Sequence, residues 1–102
     1  MTMIKNVDVK LSGKKGSHNL QSVLVVDSAY TFVSRKVASE ICDHSEIKTM
    51  TASWTPIKVD VASVEIEVKN KKKRISVIIL DLPNTYVGTG TLAELGIQRT
   101  HN

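Results

Sequence analysis

The segment from Ile57 to Leu80, IKVDVASVEIEVKNKKKRISVIIL, constrains the fold most. Apolar side chains recur at every second position, Ile57, Val59 and Val61 in one phase and Val64, Ile66 and Val68 in the other. A two-residue period is that of a strand with one covered face. NKKK predicts a hairpin turn and RISVIIL the returning strand. A change of phase swaps the buried face, so the slip at Ala62-Ser63 predicts a bulge or a sharp bend.

The remaining segments extend this reading. In MIKNVDVKL, Met3 lies off the pattern, while Val7, Val9 and Leu11 face one way and Asn6, Asp8 and Lys10 the other. SGKKGSHN, with Gly13 and Gly16 bracketing two lysines, predicts a loop or wide hairpin turn. LQSVLVV is the most apolar run and predicts a central strand covered on both faces. AYTFV predicts a short strand. SRKVASEIC predicts a helix, N-capped by Ser34, with Val37, Ala38 and Ile41 as its apolar stripe. DHSE ends it. IKTMTAS reads as a weak strand, interrupted by WTP. DLPN breaks the strand before it at Pro83, and TYVG is a short extended piece. TLAEL predicts a short helix begun by Thr91 or the residue before it and stopped by Gly96. IQRT reads as a final edge strand. There is no fixed-spacing repeat and no linker. The expectation is one all-β domain over 1–102, with one or two short helices.

A chain of 102 residues buries a real but thin core, which oligomerisation would help. Its 41% hydrophobic and 24% charged residues exclude wholesale disorder. Only Tyr30, Phe32, Trp54 and Tyr86 are aromatic, so the core must be aliphatic. A net charge of +4 permits nucleic-acid contact without arguing for it. Cys42 is the only cysteine, which rules out an intrachain disulfide and favours a reducing, cytoplasmic compartment. The N-terminus has no long apolar run of the signal-peptide kind, and no segment approaches membrane-spanning length.

The strand SVLVV ends in Asp27, followed by Ser28 and Ala29. Asp is an ordinary turn residue. An acid at the mouth of an apolar run is also how a catalytic carboxyl is held out of water. VVDSAYTFVSRKVASEI and, later, VGTGTLAELGIQ together resemble the retropepsin-like (clan AA) aspartic proteases, especially their small prokaryotic and archaeal members. The family's strand–Asp-Thr/Ser-Gly-Ala–strand–helix order is matched from the first segment, and its Gly…Thr-Leu-x-x-Leu-Gly pattern by Gly88, Thr91, Leu92, Leu95 and Gly96. The resemblance spans residues 3 to 99. It implies a closed or partly open β-barrel of the acid-protease type, Asp27 and Ser28 as catalytic residues, and Gly88 and Ala29 beside the substrate. It also implies a flap over Thr51, Ala52, Ser53, Trp54 and Thr55. Ala29 stands where the family has glycine, the loop after Asp27 is shorter, and the flap segment has no glycine.

Hydrolysis by this route needs two carboxyls sharing one proton. A short chain with one such Asp supplies the second only through a two-fold axis, so a homodimer is implied with the activity. The substrate would be a peptide or unfolded protein, with no cofactor or metal. The departures leave a second expectation open, the same fold as an inactive binding or assembly dimer. A third is a small basic protein binding nucleic acid through 69–74 and 10–15, disfavoured by the scarcity of aromatics. Charge on a hairpin tip also blunts edge aggregation, which makes KNKKKR a solvated turn. Trp54 reads as a flap tip or as a core or dimer aromatic. Cys42, Asp43 and His44 are adjacent rather than spaced for zinc, and Cys42 reads as a small helix-end residue.

Overall fold

The alternating segments are strands, and they close on themselves. The computed structural model describes residues 2–3, 5–97 and 100–101. The order is β1 (Thr2–Met3), β2 (Asn6–Gly13), β3 (Gly16–Val26), β4 (Thr31–Ser34), α1 (Arg35–Ile41), β5 (Glu46–Ala52), β6 (Thr55–Val68), β7 (Lys71–Leu80), β8 (Tyr86–Gly88), α2 (Thr89–Glu94) and β9 (Thr100–His101). The main sheet runs β2-β3-β8-β4-β7-β6-β5, and β2 also pairs with β6. That pairing closes six strands into a barrel and leaves β5 outside it, attached among the described residues to β6 alone. The protein is therefore mainly β, a closed barrel with two short helices. Among the described residues no helix is long and apolar enough to cross a membrane.

The barrel interior collects one face of each strand. Val7, Val9 and Leu11 of β2 meet Val64, Ile66 and Val68 of β6, with Val33, Val77 and Val87 from the other strands and Leu92 from α2. Leu11, Val64, Ile66, Val87 and Leu92 are fully buried. Each such side chain stabilises the fold by about 1.5–3 kcal/mol through burial. Helix α1 adds Val37, Ala38 and Ile41, and Ser34 caps it by accepting from the Val37 N–H. The β2–β3 turn is tighter than the wide turn expected, because Gly13 pairs with Gly16 around Lys14-Lys15. The turn closes onto the end of α1, where the Lys15 N–H donates to the Ile41 carbonyl at 3.0 Å.

Three expectations are corrected. The slip at Ala62-Ser63 is not a bulge, since β6 pairs with β7 without a break from Asp60 to Val68. The phase changes because the covered face changes: Val64, Ile66 and Val68 point into the barrel, whereas Val61 belongs to the outer face. The bulge lies instead in β3, where Ser22 has φ 54° and its N–H donates to Asp8 Oδ1 at 2.9 Å. Nor is β3 covered on both faces, because Leu24 is 50% exposed. The WTP segment interrupts β5 only at its first residue, since Thr55 and Pro56 already belong to β6. Ser53 and Trp54, with φ 50° and 66°, form a two-residue hairpin turn from which β6 starts at Thr55. Helix α2 starts at Thr89, earlier than expected, and Gly96 at φ 75° ends it. There the Gly96 and Ile97 N–H groups donate to the carbonyls of Ala93 and Leu92, a Schellman closure. Of the expected last strand, Gln98 and Arg99 lie outside the described residues, and Thr100–His101 pairs with Thr2–Met3.

Ile66→Ala would leave a cavity in a fully buried site. Urea unfolding of this variant is expected to lose about 2–5 kcal/mol relative to the parent.

Candidate functional site

Strand β8 lies between β3 and β4, the two strands that flank the turn 27–30. It runs parallel to β3, matching Leu24 with Tyr86, Val25 with Val87 and Val26 with Gly88, and meets β4 at Phe32. The turn must therefore pass over the junction of β8 and α2. Two glycines make room for it. A Cβ on Gly88 would collide with the carbonyl oxygens of Tyr30 and Ser28, and one on Gly90 would come within 2.7 Å of Ala29 Cα. Gly90 N–H donates to the Ser28 carbonyl at 2.9 Å.

Hydroxyl groups finish the frame. Thr31 and Thr91 are both buried. Thr31 Oγ1 donates to Thr91 Oγ1 at 2.7 Å and accepts from the Gly88 N–H at 3.2 Å. Buried polar groups are stabilising only when paired in this way. Within the turn, Ser28 Oγ accepts from the Tyr30 N–H at 3.1 Å. Asp27 is exposed at the end of β3, and Thr89 Oγ1 donates to its Oδ1 at 3.2 Å.

The structure thus brings Asp27, Ser28, Ala29 and Gly88 together, and adds Thr31, Thr89, Gly90 and Thr91, which sequence reasoning missed. The signal for them was GTGT, residues 88–91. Two glycines spaced by one residue, one at a helix cap and one in its first turn, mark a close backbone approach.

Beside the turn lies an apolar row on the outer face. Cross-strand pairing aligns Leu24, Tyr86, Phe32, Ile78 and Val61 over β3, β8, β4, β7 and β6. Ile78 and Val61 are buried, Phe32 and Tyr86 half-buried, and Leu24 exposed. By alternation the same face continues up β6 to Val59 and Ile57, and Met50 of β5 pairs with Ile57. Residues 46–59 thereby form a two-stranded arm with an apolar side continuous with the row.

Thr51, Ser53, Trp54 and Thr55 form the exposed tip of this arm, with Ala52 in the same turn by sequence. Trp54 is 96% exposed, which removes the core alternative for it. The tip belongs to a different element from the Asp27 turn, and the two share only the outer face.

The other candidates stand apart. A polar cleft of about 520 Å³ lies near the 42–45 loop, with Lys14, Lys48 and Arg74 balanced by Asp43, Glu46 and Glu65. It shares no residue with the Asp27 turn. His44 Nδ1 sits 3.0 Å from Asp43 Oδ1, and among the described residues no three His, Cys, Asp or Glu side chains gather as for a metal. Burial pushes the Cys42 thiol up, and neighbouring Asp43 adds to the effect, so the thiolate is disfavoured. Comparison with protein-family models gives no match, and no curated protein sequence matches the chain.

Thr31→Val keeps the side-chain volume but removes the acceptor of Gly88 N–H and the donor to Thr91. It is expected to cost about 1–3 kcal/mol in chemical denaturation. Faster hydrogen exchange at the Gly88 amide than in the parent would locate the loss at this junction.

Proposed function

We propose that the protein is an aspartic endopeptidase of the retropepsin type, working as a homodimer to which each subunit contributes Asp27. One observation carries this reading. A carboxylate stands exposed at the end of β3, on a turn clamped by Gly88 and Gly90, at the margin of an apolar face on which Leu24, Tyr30 and Ile57 are exposed. A carboxylate placed for turn-making alone needs neither the clamp nor the face. Two copies meeting at this turn would bring two Asp27 side chains together. Like charges in contact cannot both ionise, so the pair would hold one proton. The ionised member draws a proton from water, and the protonated member polarises the scissile carbonyl. An extended peptide would lie on the outer face by strand addition, its apolar side chains against Phe32, Tyr86 and Val59. The arm, with Trp54 at its tip, would close over it. Thr89 holds Asp27 from within its own chain. Ser28 Oγ accepts from the Tyr30 N–H within the same turn.

One observation favours a second reading, an inactive dimer that binds rather than cleaves. Ala29 is exposed beside Asp27, so its methyl group takes up space where the second copy has to approach.

Sedimentation velocity and digestion of a denatured protein test both. The first reading expects a dimer with acid-leaning cleavage, and Asp27→Asn to fold normally while losing about 10²–10⁴-fold in rate. Equal cleavage by the Asn variant removes Asp27 as the catalyst. A dimer that cleaves nothing supports the second reading, and a monomer at all concentrations removes both.

A further inference from the structure

The arm has a definite root. Among the described residues, 55–59 of β6 pair only with β5, whereas from Asp60 onward β6 pairs with β7 as well. Asp60 is therefore where the arm becomes barrel. Its side chain is only 26% exposed.

Arg35 reaches this point from the body. It is the first residue of α1, which is anchored in the core by Val37, Ala38 and Ile41. The residue before it, Ser34, caps the helix and donates its N–H to Thr85 Oγ1 at 3.3 Å. Arg35 Nη1 donates to Asp60 Oδ2 at 2.9 Å, and its Nε donates to Asp81 Oδ1 at 2.7 Å. Asp81 is the first residue beyond β7. One guanidinium thus joins the arm's root, the helix that follows β4 and the exit of β7. Both carboxylates hold the guanidinium firmly in its charged form, Asp81 first and Asp60 second.

We infer that Arg35 is a latch that sets how freely the arm swings over the Asp27 face. Isolated ion pairs at a surface contribute little, but charge networks of good geometry are the exception. The planar fork of arginine suits two carboxylates at once, and a lysine ammonium cannot reproduce it. Asp60 also sits at a lever's short end. A small rotation at the root displaces the tip by several times as much. The part of the inference that concerns access to Asp27 rests on the proposed peptidase reading, and the latch itself does not.

Trp54 provides the probe, since it is the only tryptophan and sits exposed at the tip. Time-resolved fluorescence anisotropy of the full chain reads the swing directly. Arg35→Gln and Asp60→Asn are each expected to lower the residual anisotropy of Trp54. Asp81→Asn is expected to lower it less, and Arg35→Lys to fall between Gln and the parent. The melting temperature should move little, because Arg35 and Asp81 are largely exposed. In a peptidase assay, freer arms should change KM more than kcat, by about twofold to fivefold. Unchanged Trp54 anisotropy in both Arg35→Gln and Asp60→Asn overturns the latch, whatever the peptidase assay gives. A loss of anisotropy in a protein that cleaves nothing keeps the latch and removes the peptidase.

Discussion

Where β8 passes between β3 and β4, backbone lies directly against backbone, and the candidate site follows from that contact. Side chains at 88 and 90 would push the 27–30 turn away, so only glycine permits the packing. The approach buries N–H and hydroxyl groups that water no longer reaches. Thr31, Thr91 and Gly88 satisfy one another, which turns a desolvation cost into a fixed geometry. The carboxylate of Asp27 is held by the same frame, through the Thr89 hydroxyl. Its position is a property of the core, although the group itself meets solvent.

Closure of six strands solves one problem and leaves another. The barrel interior is filled by small aliphatic side chains, and β2 meeting β6 removes two sheet edges. Helix α1 adds Val37, Ala38 and Ile41 to that core. The row from Leu24 to Val61 is buried at Ile78 and Val61 and open toward Leu24. Leu24, Tyr30 and Ile57 stay 50, 46 and 42% exposed. Exposed apolar surface of this kind, grouped beside a fixed carboxylate, is characteristic of a binding face. On the proposed reading, a second copy with an extended peptide would cover the exposed part of this face.

Much of the barrel was legible because its strands are one-sided. The periods in β2, β6 and β7, the Ser34 cap and the Gly96 stop are local signals, and each acts through its own neighbours. The reading failed where burial is decided at a distance. Ile57, Val59 and Val61 looked like a core face displaced by a bulge. They are apolar on the outside, and only the pairing partners of β6 reveal it. The true bulge at Ser22 left a faint trace, Leu20 and Val23 spaced by three instead of two. Of the site, Asp27, Ser28, Ala29 and Gly88 were readable from their motifs. Thr31 and Thr91 were not, because 60 positions separate them in sequence and only the β8 insertion joins them.

The tip of the arm follows a different economy from the barrel. A two-residue turn of this kind needs both residues at positive φ, and Asn-Gly supplies that with little strain. The β6–β7 turn comes near it with Lys69-Asn70. The arm instead uses Ser53-Trp54, and a bulky residue in the left-handed region costs about 1–2 kcal/mol. Among the described residues nothing covers Trp54 to offset that cost, since it is almost wholly exposed. Strain that the folded chain does not recover points to a contact outside it. On the proposed reading, an indole at the end of an arm whose apolar side runs back toward Asp27 would recover that cost when a peptide occupies the face.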